Sequence, residues 1–184
     1  MSTSLTPETA GQLAGSETVI RPATLDDLAA LQPILEVWLR DRNTDELLPQ
    51  EVHDTLDAVR TTAEGRTDRT YLVAELGGQV VGMMGFKKPD RVMQTFARRK
   101  PTVEFINAYV DPNIRRKGIG QLLLLGLEET ARQQGYAEVI VNSGPRYQHK
   151  GGWDFWTRHY GQPAYIAREY YGRGGDAPVW RHLL

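Results

Sequence analysis

The stretch Tyr109-Val110-Asp111-Pro112-Asn113-Ile114-Arg115-Arg116-Lys117-Gly118-Ile119-Gly120-Gln121-Leu122-Leu123 decides how the rest of the chain reads. The run from Val103 to Val110 predicts a strand, Pro112-Asn113 predicts a turn, and a Leu-rich helix opens near Gly118. The first turn of a helix carries N–H groups without intrahelical acceptors. With the positive end of the helix dipole behind them, they hold an anion such as a phosphate. Gly118 and Gly120 remove side chains that would block a ligand's approach, and Arg115, Arg116 and Lys117 add charge-assisted donors.

Toward the C-terminus the helix runs to Gln134, where Gly135 stops it, and Ala137 to Asn142 is again a strand. Strand, helix and strand at this spacing predict a right-handed crossover between parallel strands. A glycine-rich loop then spans Ser143 to Gly152, a short aromatic helix runs from Trp153 to about His159, and two strands follow, Ala164–Tyr171 and Pro178–Leu184.

Toward the N-terminus, Tyr71–Leu76 and Gln79–Phe86 flank Gly77-Gly78, a hairpin signal. Lys87 to Pro101 is basic and shows no clear period, which suits either a solvated connection or a cover over a substrate. Earlier still, Thr18–Arg21 is a short strand, and Thr24 caps a helix with Asp27 as its box partner. Leu28, Leu31, Ile34, Leu35 and Trp38 recur on one face of that helix, which ends near Arg40. Pro49 opens a second helix with Val52, Leu56 and Val59 on its apolar side. Residues 1–17 are too poor in apolar side chains to pack and read as a mobile tail, leaving 18–184 as a single domain.

With 40% hydrophobic and 24% charged residues the composition is that of a soluble globular protein, and a net charge of −1 provides no global field for nucleic acid or membrane. The absence of cysteine excludes disulfides, thiolate zinc sites and a cysteine nucleophile, and sets the cytoplasm as the expected compartment. No apolar run reaches the roughly 20 residues of a membrane span. The four histidines lack metal-ligand spacing with supporting carboxylates, so no metal is expected.

Arg115-x-x-Gly118-x-Gly120 resembles the pyrophosphate-binding signature of the GNAT superfamily of N-acetyltransferases, and the element order is similar to the GNAT fold from about Val19 to Leu184. Tyr71 to Gly82 looks like the family's second and third strands and Tyr109-Val110-Asp111-Pro112 like the end of its fourth. The resemblance implies an α/β fold whose mixed central sheet is splayed between the fourth and fifth strands and flanked by helices, with acetyl-CoA as co-substrate. It implies further that the backbone of Tyr109 and Val110 lies beside the pantetheine arm, and that Arg115 to Gly120, with Ile119 between the glycines and Gln121 just inside the helix, holds the diphosphate.

Acyl transfer to an amine needs a neutral amine, a polarised thioester carbonyl and a proton for the departing thiolate. Glu104 stands where histone-type members carry a catalytic glutamate, and period-two alternation places it on the side of Ile106, Ala108 and Val110. The family's acid tyrosine falls on Trp156, whose indole cannot reprotonate a thiolate. Tyr160, one turn on, is taken as the substitute, with His159, and Tyr147 or His149 in the loop, as the other candidates. The aromatic residues from Trp153 to Tyr171 supply core, with some left for an acceptor pocket or a homodimer contact. These readings give an acetyl-CoA-dependent N-acyltransferase acting on a small-molecule amine or amino acid. A protein amine as acceptor, or an acyl-CoA-binding module without turnover, are the alternatives.

Overall fold

The computed structural model describes residues 11–13, 16–114 and 117–184. Eight strands form one sheet: β1 (Gly11–Leu13), β2 (Ser16–Pro22), β3 (Thr70–Leu76), β4 (Gln79–Lys87), β5 (Thr102–Val110), β6 (Glu138–Asn142), β7 (Tyr165–Ala167) and β8 (Ala177–Leu183). Their spatial order is β1-β2-β3-β4-β5-β6-β8-β7. Every neighbouring pair is antiparallel except β5 and β6, which are parallel. The crossover between those two is α4 (Ile119–Gln133), as the strand–helix–strand spacing requires. Pairing begins earlier than Thr18, because Gly11–Leu13 pairs with Ser16–Thr18, so part of the predicted tail forms the sheet edge. Residues 1–10 of that tail lie outside the described residues.

Helices cover both faces. On one, α4 sends Ile119, Leu123, Leu124 and Leu127 against Leu72, Met84, Phe105 and Val141, and Trp156 of α5 (Gly152–Tyr160) joins them. Close seating of α4 depends on Gly126: a Cβ there would lie 2.9 Å from Ile20 Cγ2 and 3.5 Å from Leu72 Cδ1. On the other face α1 (Leu28–Trp38) and α2 (Pro49–Ala63) pack Leu31, Leu35, Trp38, Val52 and Val59 on Tyr71, Val73, Met83 and Tyr109. The Thr24–Asp27 box closes as expected, its carboxylate accepting from the Thr24 N–H at 2.8 Å and from both Arg21 terminal nitrogens at 2.8 Å.

The segment without a sequence period contains a short helix, α3 (Arg91–Phe96). Asp90 caps it by accepting from the Met93 N–H at 2.8 Å, and Met93 is buried against Ile140, Ala167 and Val179. The return to β5 is tied to the buried Glu138, which accepts from the backbone N–H groups of Arg98 (2.9 Å) and Arg99 (3.0 Å) and from Arg181 Nε (2.8 Å). The terminal strand pair exists, though β7 covers only Tyr165–Ala167 of the expected Ala164–Tyr171. Removing a buried carboxylate with three such donors strands a guanidinium and two amides. Glu138→Ala is therefore expected to cost about 3–5 kcal/mol in urea unfolding. A loss below about 1 kcal/mol would mean that water replaces the carboxylate freely.

Candidate active site

The site is built where β5 and β6 separate. They pair from Thr102↔Glu138 to Phe105↔Val141, after which β5 continues to Val110 while β6 ends at Asn142. Past Phe105, the side of β5 turned toward β6 has no strand beside it.

Over the same span β5 is bulged. On β4, Met83 pairs with Tyr109 and Gly85 with Ile106, so Asn107 and Ala108 together oppose Met84. Asn107 takes a left-handed backbone (φ 53°), a conformation that asparagine tolerates better than most residues, and its Oδ1 accepts from the Tyr71 hydroxyl at 3.0 Å. The inserted residue shifts the alternation of side chains. Val103, Phe105, Ala108 and Val110 pack on the α4 face, whereas Ile106 and Tyr109 pack on the α1–α2 face. The expected grouping of Glu104 with Ala108 and Val110 is thus corrected: Glu104 shares a side with Ile106, and the bulge turns the next residues over.

Two cavities open around this strand. One, of about 610 Å³, is lined by Phe105 to Val110, by Val141 to Ser143, by Gly118 to Gln121 and by Lys150 to Gly152 at the start of α5. Gly118 caps α4 in a left-handed conformation (φ 75°), and the Leu122 N–H is bonded to its carbonyl at 3.0 Å. The N–H groups of Ile119, Gly120 and Gln121 therefore precede the first closed helical turn and face the cavity without intrahelical acceptors. Gly120 sits against Phe155, whose Cε2 would be 3.1 Å from an added Cβ. Lys117 is exposed just before the helix; Arg115 and Arg116 lie outside the described residues. At the far end, the Val110 carbonyl accepts from Trp38 Nε1 at 2.9 Å.

The other cavity, of about 730 Å³, lies over Glu104 and is lined by α2, the loop after α1, the Ser143–Tyr147 turn and the Tyr170–Gly175 turn. The two cavities share Phe105, Ile106, Asn107, Tyr109, Asn142 and Tyr147. At that junction the hydroxyls of Tyr109 and Tyr147 are 3.0 Å apart. Burial pushes the Tyr109 hydroxyl well above the usual phenol range, and burial raises Tyr147 as well, partly offset by its bond to Tyr109.

Glu104 is 2% exposed. Its Oε1 accepts from Asn142 Nδ2 at 2.9 Å, and Lys87 Nζ stands 3.5 Å from Oε2. Burial raises its carboxyl above the ordinary glutamate value, with the Lys87 charge opposing the shift. Asn142 is itself held by the Tyr171 hydroxyl, which donates to Oδ1. Tyr160, taken as the substitute for the missing acid, lies elsewhere. Its hydroxyl donates to Glu128 Oε1 of α4 at 2.8 Å and its ring stacks on His182, on neither cavity wall. Of the two tyrosines it is Tyr147 that reaches the junction.

A family model described as the acetyltransferase (GNAT) family matches residues 32–161, and the chain belongs to that family. Human N-acetyltransferase 8 is 35% identical over 74 residues, which are 40% of this chain and 31% of that protein's length. Among solved structures, a GNAT-family protein of Desulfovibrio desulfuricans superposes with a TM-score of 0.71 at 16% identity, over 90% of this chain and 98% of its own. Ribosomal-protein-alanine N-acetyltransferase of Brucella melitensis gives 0.63 at 27% identity over 90% and 99%. The yncA protein of Salmonella typhimurium, solved with acetyl-CoA, gives 0.65 at 22% identity over 91% and 94%. The chain accordingly carries the mixed sheet of the GNAT fold. Among the described residues no group of metal-binding side chains occurs, and no helix is long and apolar enough to cross a membrane.

The raised carboxyl of Glu104 has a thermodynamic consequence. Folding favours its protonated form, so its contribution is present below the unfolded pKa of about 4.3 and is lost as pH rises through the higher folded value. Glu104→Gln removes that loss. The urea midpoint of the variant, relative to that of the unaltered protein, is expected to rise between pH 4 and pH 7. A difference that stays constant would place the carboxyl in an ordinary solvated setting.

Proposed function

We propose that the chain transfers the acetyl group of acetyl-CoA to the primary amine of a small molecule or amino acid by direct attack within a ternary complex. The observation that carries this reading is the meeting of the two cavities at Phe105–Asn107, Tyr109, Asn142 and Tyr147, with a buried carboxylate on one side and a helix N-terminus on the other. A long thioester laid along the unpaired side of β5 brings its diphosphate to the free amides of Ile119, Gly120 and Gln121, with Lys117, Arg115 and Arg116 adding charge. Its acyl end then reaches the bulge. Holding both reactants there supplies about 7–11 kcal/mol of the barrier lowering in favourable cases.

In the reaction the ammonium of the acceptor loses a proton toward Glu104, whose carboxyl burial raises above the ordinary glutamate value. The amine lone pair attacks the thioester carbonyl carbon while the Val110 amide supports the oxyanion. The carbon–sulfur bond breaks, Tyr147, bonded to Tyr109, gives its proton to the thiolate, and the second proton shed by the acylated nitrogen restores the tyrosine hydroxyl. The lack of cysteine fits a reducing compartment, and the cytoplasm is the compartment we assign. Acetylation of a protein amine is the second reading, supported by the likeness to the ribosomal-protein-alanine enzyme.

Thiol release from acetyl-CoA across amines, amino acids and peptides tests the reading; release with none of them would sink it. In that assay kcat/KM is expected to rise with pH through a pKa above that of ordinary glutamate. Glu104→Gln should abolish this rise and lower turnover by about 10²-fold or more. Tyr147→Phe should lower kcat by about 10²-fold, and an unaffected kcat would assign the proton to another group. A side chain at Gly118 must adopt the left-handed region at about 1–2 kcal/mol. Gly118→Ala should therefore weaken acetyl-CoA binding about tenfold by calorimetry.

A further inference from the structure

The cavity over Glu104 has an unusual charge balance. Its wall carries the cationic side chains of Arg42, Arg69, Lys87, Arg146 and Arg173 against the anionic Asp41, Glu51 and Glu104, an excess of two cations. Two of the cations are committed. Lys87 faces Glu104, and Arg146 binds both oxygens of Glu51 at 2.7 and 3.0 Å, closing the cavity between α2 and the Ser143–Tyr147 turn. Asp41 is turned into its own loop, accepting from the N–H groups of Asn43 at 2.8 Å and Thr44 at 3.0 Å. Among the described residues Arg42, Arg69 and Arg173 form no ion pair, and all three border the cavity from different segments. Arg69 is the half-buried one and lies beside the Tyr71 hydroxyl that holds the Asn107 bulge.

An acceptor amine is itself a cation before it gives up its proton. Bringing a plain amine or a polyamine into a wall with surplus guanidinium charge adds repulsion. An amine that carries its own carboxylate reverses the sign of that interaction. Guanidinium groups bind carboxylates through paired N–H donors, which fixes orientation as well as charge.

We propose that the acceptor is an amine bearing at least one carboxylate, such as an amino acid or a related acidic amine, and that Arg69, Arg42 and Arg173 read that carboxylate while the amine faces Glu104. This rests on the acyltransferase reading above and narrows its acceptor. The selectivity is set by the three arginines and not by the cofactor cleft, which they do not line.

The test pairs each of a panel of free amino acids with its carboxamide, and includes putrescine and a lysine peptide, with thiol release from acetyl-CoA as the readout. The expected result is a kcat/KM at least tenfold higher for the acid than for the amide of the best acceptor. In Arg69→Gln, and in Arg42→Gln with Arg173→Gln, that ratio should fall toward one through a higher KM for the acid. Acetyl-CoA affinity by calorimetry verifies that the variants are folded. Equal or better turnover of amides, putrescine or the peptide overturns the proposal and leaves acyl transfer standing. A ratio unchanged in the arginine variants overturns the assignment of these residues. Absence of both acetyl-CoA binding and thiol release overturns the proposal together with the reading beneath it.

Discussion

The site depends on the parting of two parallel strands. β5 and β6 share four residue pairs, enough to lock the crossover through α4, and then separate. Had pairing continued, the unpaired side of β5 would be filled with strand, and the two cavities could not meet. The bulge at Asn107 works with this separation. It turns the strand once, so that Glu104 and Ile106 look toward the α1–α2 side while Ala108 and Val110 look toward the α4 side. One inserted residue thereby turns the two cavities' walls to opposite faces of a single strand.

The polar groups at the junction are costly to bury, and each is held by a neighbour. Glu104 has Asn142 and Lys87, Tyr109 has Tyr147, and Asn107 has Tyr71. These partners come from β3, β4, β6 and the loop before α5. The geometry of the site is consequently a property of the whole sheet and not of one loop. Tyr160 shows the contrast: its hydroxyl is fully engaged with Glu128 on the back of α5, where it joins α4 and β8 in the core.

Elements with strong local signals were legible from the sequence. The apolar spacing from Leu28 to Trp38, the Gly77-Gly78 turn, the Thr24–Asp27 box and Gly118 at the head of α4 each carry their physical cause in a few residues. The six residues of α3 are too few to show a period, and its one local signal was Asp90 as an N-cap, which the search for periodicity passes over. The bulge leaves no mark of its own, because an asparagine in a strand-like run is ordinary until its partner strand supplies the register. Choosing among Tyr147, Tyr160 and the histidines required knowing which of them face β5, and that depends on contacts between residues far apart in sequence.

Gly126 lies six residues along α4 from Gly120, about 9 Å down the same rod. The helix rests so closely on Ile20 and Leu72 that there is no room for a methyl group between them. A helix is stiff over this length, so its seat at the back fixes the height of its first turn at the front. Gly126, with no side chain of its own, acts as a spacer for the cleft at the head of the helix. Substitutions among Ile20, Leu72 and Gly126 alter how far the free amides project into the cleft, without touching anything that binds there.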